Sequence, residues 1–282
     1  MSMTNAGAVQ HTPPPLEVGL HIGRITIDGR VLRYAHRAGR GEPLLLCNGI
    51  GANLELALPF IREIQGRPVI IVDLPGTGGS QSGWFWPQLP RYAGMLMKVM
   101  TRLGMQGRFA VAGVSWGGAL AQQIARDYPA RVSHLVLMAT SPGIFMVPGK
   151  PSALLRMLTP QRYLSRDYMA RNAATLYGGE MRNHPERALW HAERTRAPST
   201  RAYLQQVLAM YQFTSLPWLH RIDSPALVIS GDDDPLVRPI NARILAALLP
   251  NARLEIIAGG GHLFMTLRAA ETAALIDGFL TD

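Results

Sequence analysis

The sequence predicts an α/β protein: a mostly parallel, doubly wound sheet carrying one inserted helical segment. Three observations lead there. Short apolar runs rich in β-branched residues alternate with longer segments of helical period. The runs are apolar throughout instead of alternating with polar residues, as central parallel strands must be when helices cover both faces. The alternation then stops between residues 143 and 216 and resumes afterwards. A chain of 282 residues suits one domain with a sizeable insertion.

In chain order, residues 1–20 read as a flexible tail, with Pro13-Pro14-Pro15 among small polar residues. The tail has no basic stretch and no apolar run, so it does not read as a signal peptide. Segments 24–28 and 31–38 flank Asp28-Gly29, a hairpin signal, and should form an antiparallel edge. Strands follow at 44–47, 69–72, 109–112, 135–138, 226–229 and 254–257. Amphipathic segments at 89–103, 117–128 and 241–249 lie between them as helices. Residues 21–142 and 217–282 thus form the core. Residues 143–216 form a helical cap over the C-terminal edge of the sheet, where ligands bind in open α/β sheets.

Composition narrows the function. Hydrophobic residues at 48% and charged residues at 17% give ample material for a core and exclude a disordered chain. The net charge of +9 raises nucleic-acid binding as a class. The arginines are scattered, with no basic run interleaved with stacking aromatics and no zinc-finger spacing, so no nucleic-acid partner is expected. No apolar run reaches the roughly 18 residues of a membrane-spanning helix. The single cysteine, Cys47, excludes an intrachain disulfide and fits a reducing, cytoplasmic compartment.

The chemistry concentrates in three post-strand loops. Gly113-Val114-Ser115-Trp116-Gly117-Gly118 lies between a strand and a helix. A serine on so sharp a turn needs small neighbours and is lifted above the sheet, which marks Ser115 as a nucleophile. A serine hydroxyl needs a base. Of the eight histidines, only His262 combines a post-strand loop, flanking glycines and a following helix. Asp232-Asp233-Asp234-Pro235 supplies the acid. Asp234 is favoured, three residues after the strand-ending Gly231, and Asp233 stays open as the alternative. No His/Cys set accompanies the aspartates, so neither a metal nor a cofactor is expected. The N–H groups of Ile50, in Asn48-Gly49-Ile50-Gly51, and of Trp116 are the expected oxyanion hole. Asp73-Leu74-Pro75-Gly76-Thr77-Gly78-Gly79-Ser80 lacks the endings of a phosphate loop and reads as a structural loop near the site entrance.

These motifs resemble a known family: the intracellular medium-chain-length polyhydroxyalkanoate depolymerases of pseudomonads, members of the α/β-hydrolase superfamily. The likeness runs from about Gly23 to the C-terminus. It is carried by residues 48–56, 113–123, Asp127-Tyr128-Pro129, 231–236 and Gly261-His262-Leu263-Phe264. Met146-Val147-Pro148-Gly149-Lys150-Pro151, in the variable cap, is the most specific stretch. Two features depart from the family: a longer segment before His21, and Gly259-Gly260 in place of acidic residues. The resemblance implies Ser115, Asp234 and His262 as a triad. It also implies ester hydrolysis on storage polyesters at a hydrophobic granule surface in the cytoplasm. Phe145, Met146, Tyr163 and Trp190 are the cap residues expected to bind an alkyl side chain. The rival readings are a general carboxylesterase or lipase for small acyl esters, and a granule-binding protein without turnover.

Overall fold

A computed structural model of the chain describes residues 19–159, 161 and 165–281. Most of the expected tail, and Tyr163, lie outside the described residues. Eight strands form one sheet: β1 (Leu20–Ile27), β2 (Arg30–Arg37), β3 (Leu44–Cys47), β4 (Val69–Val72), β5 (Phe109–Val114), β6 (Val132–Met138), β7 (Ala226–Gly231) and β8 (Ala252–Ile257). Their order is β1-β2-β4-β3-β5-β6-β7-β8. β2 runs antiparallel to both of its neighbours, and every pairing from β4 to β8 is parallel. Asp28 (φ 49°) and Gly29 (φ 74°) are both left-handed, the requirement of a two-residue hairpin turn that matches strand twist.

The unbroken apolar runs serve both faces at once. Leu45, Cys47, Ile70 and Val72 point into one core, and Leu44, Leu46, Val69 and Ile71 into the other. The first core is closed by α2 (Leu89–Arg102), α3 (Trp116–Asp127) and α9 (Pro239–Leu248). The second is closed by α1 (Leu58–Glu63), α10 (Phe264–Leu267) and α11 (Ala269–Phe279). This is the helix-covered parallel sheet that strands apolar on both faces require.

Between β6 and β7 the chain forms α4 (Pro151–Leu158), α5 (Arg166–Tyr177), α6 (Glu180–Asn183), α7 (Pro185–Arg194) and α8 (Thr200–Tyr211). Proline opens α4 and α7, where its missing N–H goes unused. Serine caps α5 and α8: Ser165 accepts from Tyr168 N–H and Ser199 from Ala202 N–H. These helices have an apolar cluster of their own, including Met169, Leu176 and Met181. It merges with Leu236, Val237 and Leu263 on the loops after β7 and β8, and with Leu267 of α10. The cap is therefore seated on the two loops that carry Asp234 and His262. Among the described residues, no helix is long and apolar enough to cross a membrane.

Candidate active site

Ser115 joins β5 to α3 with φ 56° and ψ −120°, a backbone region non-glycine residues seldom occupy. Its N–H donates to Met138 O, and its carbonyl accepts from Gly118 N–H and Thr140 Oγ1. Space alone dictates the glycines around it. A Cβ on Gly113 would lie 2.1 Å from Gly117 O, and one on Gly117 would lie 2.1 Å from Cys47 O. The motif spacing thus reflects two backbone crossings that admit no side chain.

The structure brings Ser115, His262 and Asp234 together. His262 Nε2 lies 3.1 Å from Ser115 Oγ, and His262 Nδ1 lies 2.7 Å from Asp234 Oδ2. Asp234 and His262 are buried, each 4% exposed. The other oxygen of Asp234 accepts the N–H groups of Leu236 and Val237, which fixes the carboxylate. With Asp234 ionised, its partner nitrogen Nδ1 carries the ring proton and Nε2 faces the serine as an acceptor. The backbone N–H of His262 donates to Tyr177 O at 2.7 Å, and the Tyr177 ring stacks on the imidazole.

The neighbouring aspartates are committed elsewhere. Asp233 accepts from Arg182 Nε, Arg182 NH2 and Gly179 N–H, so it holds the cap and does not face His262. The hydrogen bond from Arg182 is the main reason its pKa lies below the ordinary carboxylate value. Asp232 accepts Gly259 N–H. Of the two acids the sequence leaves open, Asp234 is the one beside the histidine.

The loop after β3 is a tight turn. Ala52 N–H donates to Gly49 O, Gly49 N–H donates to Asn48 Oδ1, and Gly51 has φ +65°. Ile50 and Trp116 both border Ser115 in the larger of two cavities that meet there. That cavity holds about 540 Å³ and is mainly apolar, with Met146, Leu154, Val207 and Met210 in its wall. The smaller holds about 70 Å³ and lies between Ser115, His262, Tyr177 and His191.

The alkyl-binding candidates divide. Met146 lines the larger cavity. Phe145, expected beside it, lines neither cavity and is 71% exposed, while its neighbours Ile144 and Met146 both line the larger one. Trp190, also expected there, lines neither; it lies on α7 under the guanidinium of Arg194. Tyr177, His191, Met157 and Gln206 escape the sequence reading. They sit on helices with no motif; only the folded cap brings Tyr177, His191 and Met157 into cavities beside Ser115, and Gln206 against Gly51 and Trp116.

Asp73 is buried and structural. It accepts from Leu54 N–H, Gly79 N–H and Arg33 NH1. Burial is the largest influence on its pKa and keeps it raised despite those partners. A Cβ on Gly78 would lie 2.1 Å from the Asp73 carboxylate, which accounts for that glycine.

The chain belongs to the α/β-hydrolase fold family, whose model matches residues 42–269. Within that family it is 46% identical over 259 residues to the poly(3-hydroxyalkanoate) depolymerase of Ectopseudomonas oleovorans, a match spanning 91% of each chain. The resemblance read from the cap segment and the three loops therefore holds. It is 26% identical over 266 residues to Lipase 1 of Psychrobacter immobilis, covering 90% of this chain and 82% of the lipase. The crystal structure of the enol-lactonase from Burkholderia xenovorans superposes with a TM-score of 0.78 at 22% identity, over 92% of this chain and 100% of the other. That likeness concerns the fold alone.

Proposed function

We propose that the chain is a serine esterase that hydrolyses the ester bonds of poly(3-hydroxyalkanoates) with medium-length side chains, releasing 3-hydroxyalkanoic acids or short oligomers. The carrying observation is His262 held between Asp234 and Ser115 at hydrogen-bond distance, at the foot of an apolar cavity of about 540 Å³. The relative at 46% identity supplies the polyester class.

Ser115 Oγ attacks the ester carbonyl while His262 Nε2 takes its proton. Asp234 orients the imidazole and stabilises its cation. The tetrahedral oxygen rests on the N–H groups of Ile50 and Trp116, and each such donor contributes about 2.7–4 kcal/mol in the transition state. His262 returns the proton to the departing hydroxyl of the polymer, leaving an acyl-enzyme. A water deprotonated by His262 then releases the acid. The larger cavity takes the alkyl side chain.

Association with a polyester granule in the cytoplasm is part of the same proposal. Three segments without charged residues, 83–90, 143–149 and 202–212, are joined to one another, and the last two line the larger cavity. Gln205 Nε2 donates to Phe85 O, Gln212 Nε2 to Pro87 O, and Ile144 N–H to Phe213 O. They expose Trp84, Trp86, Phe145, Leu204, Leu208 and Tyr211. Large exposed apolar patches mark interaction surfaces, and an uncharged one fits an uncharged polyester.

Product analysis after incubation with long- and short-side-chain polyhydroxyalkanoates tests the reading. Soluble 3-hydroxyalkanoic acids or their oligomers should appear from the long-side-chain polymer, and none with Ser115→Ala. Full polymer hydrolysis by Ser115→Ala would overturn the mechanism. Turnover of p-nitrophenyl octanoate without polymer hydrolysis would make the protein a general carboxylesterase.

A further inference from the structure

We propose that Gln206, on cap helix α8, is a positioning residue for the oxyanion hole, so that seating the cap and setting the two backbone donors are one event. The inference rests on the serine-esterase reading above. Gln206 makes two hydrogen bonds to the loops of the hole. Gln206 Oε1 accepts the N–H of Gly51 at 2.8 Å, the peptide next after Ile50. The carbonyl oxygen of Gln206 accepts the indole N–H of Trp116 at 2.8 Å. These partners stand 155 and 90 residues away in sequence, and each belongs to or adjoins an expected donor.

Burial makes these contacts stiff. Gln206 is 0% exposed and Trp116 is 3% exposed. Trp116 also meets the edge of the Tyr92 ring, with centroids 5.1 Å apart. The far end of the same loop is held by the cap as well. Asn53 Nδ2 donates to Arg194 O, and Asn53 Oδ1 accepts Arg196 N–H. Gln206 is the contact beside Ile50 itself.

The amide also carries a penalty that packing alone would not retain. Among the described residues, Gln206 Nε2 is buried with no hydrogen-bond partner. An unpaired buried donor is unfavourable, and methionine would fill the same space without it. What glutamine adds over methionine is the acceptor aimed at Gly51. The same helix places Tyr203, Val207 and Met210 in the wall of the larger cavity. An alkyl chain bound there presses on α8 one residue from Gln206. Binding energy gained remotely from the ester is thereby spent on ordering the hole, which raises kcat more than affinity.

The test uses the full chain carrying Gln206→Met, with kcat expressed per serine titrated by a fluorophosphonate so that any unfolded fraction drops out. On p-nitrophenyl octanoate, kcat should fall by about tenfold or more while KM stays within about threefold. Inhibition by a trifluoromethyl ketone, which lodges a tetrahedral oxyanion in the hole, should weaken by a similar factor. The melting temperature should fall only slightly, because one unpaired buried donor, Gln206 Nε2, is exchanged for another, the Gly51 N–H. Trp116→Phe removes the other tie and should give the same pattern; it decides the matter if Gln206→Met does not fold. Unchanged kcat and unchanged ketone inhibition in a folded variant, or an effect on KM alone, would overturn the proposal. A parent enzyme that no fluorophosphonate titrates would instead defeat the serine reading beneath it.

Discussion

Asp232, Asp233 and Asp234 are adjacent carboxylates with three different partners: a loop amide, a cap arginine and the imidazole. That division makes the acid separable by mutation. Asp234→Asn should lower kcat by roughly 10³–10⁴-fold, because it leaves His262 in the wrong tautomer. Asp233→Asn should leave kcat within about twofold, since its carboxylate touches only the cap. Steady-state kinetics on a soluble ester checks both, and the reverse ranking would assign the acid to Asp233. Cys47 gives a second residue-scale expectation. Burial pushes its thiol up to about 12, so at neutral pH it is neither exposed nor ionised. Iodoacetamide should leave the native protein unmodified and active, and should label this thiol only after unfolding. Ser115 and His262 were legible in the sequence because each sits on a turn between a strand and a helix, where glycine spacing records local geometry. Gln206 and Tyr177 were not, since nothing near them in the chain encodes a partner 85 or more residues away.

At the level of elements, the cap meets the core through two consecutive glycines. Gly178 (φ +62°) and Gly179 (φ +49°) lie against the loops of Asp233 and His262. A Cβ on Gly178 would fall 2.0 Å from Asp233 O. Gly178→Ala should therefore lift the cap end of α5 from His262 and lower both kcat and melting temperature. Asp233 and Arg182 close the same seam. The folded pKa of Asp233 lies below its unfolded value of about 3.9, so this pair stabilises the fold fully above that range. The contribution disappears as pH falls through the lower folded value. Both side chains are about a third or more exposed, which limits the gain to about 1 kcal/mol or less. The melting-temperature deficit of Asp233→Asn should accordingly be small at pH 6 and shrink as the pH is lowered below the ordinary carboxylate range; a deficit that does not shrink on acidification would mean the pair does not act by charge. The apolar runs located the central strands well, and 44–47 and 69–72 match β3 and β4 residue for residue. Their order, with β4 outside β3, was not legible, because a run apolar on both faces records burial and not its neighbour.

The whole molecule places its chemistry in an apolar cavity whose wall includes exposed, uncharged side chains. Ile144 and Tyr211 belong to both the cavity wall and that outer surface, so one apolar path runs from solvent to Ser115. On α8, Leu204, Leu208 and Tyr211 recur at helical spacing on the outward side, while Gln205 and Gln206 face inward. An enzyme for small dissolved esters gains nothing from such a stripe, whereas one that works on an insoluble polymer must first adhere to it. Leu204→Asp with Leu208→Asp separates the two requirements. Both side chains are exposed and neither lines the larger cavity, so the fold should lose about 0.5 kcal/mol or less per site. Turnover of p-nitrophenyl octanoate should stay near the parent value. Co-sedimentation with polyester granules, and acid release from emulsified polymer, should fall by about tenfold, since two charges would have to be buried against an apolar surface. If polymer hydrolysis survives both charges unchanged, the enzyme reaches its polymer by another face, and the stripe on α8 plays no part in adhesion.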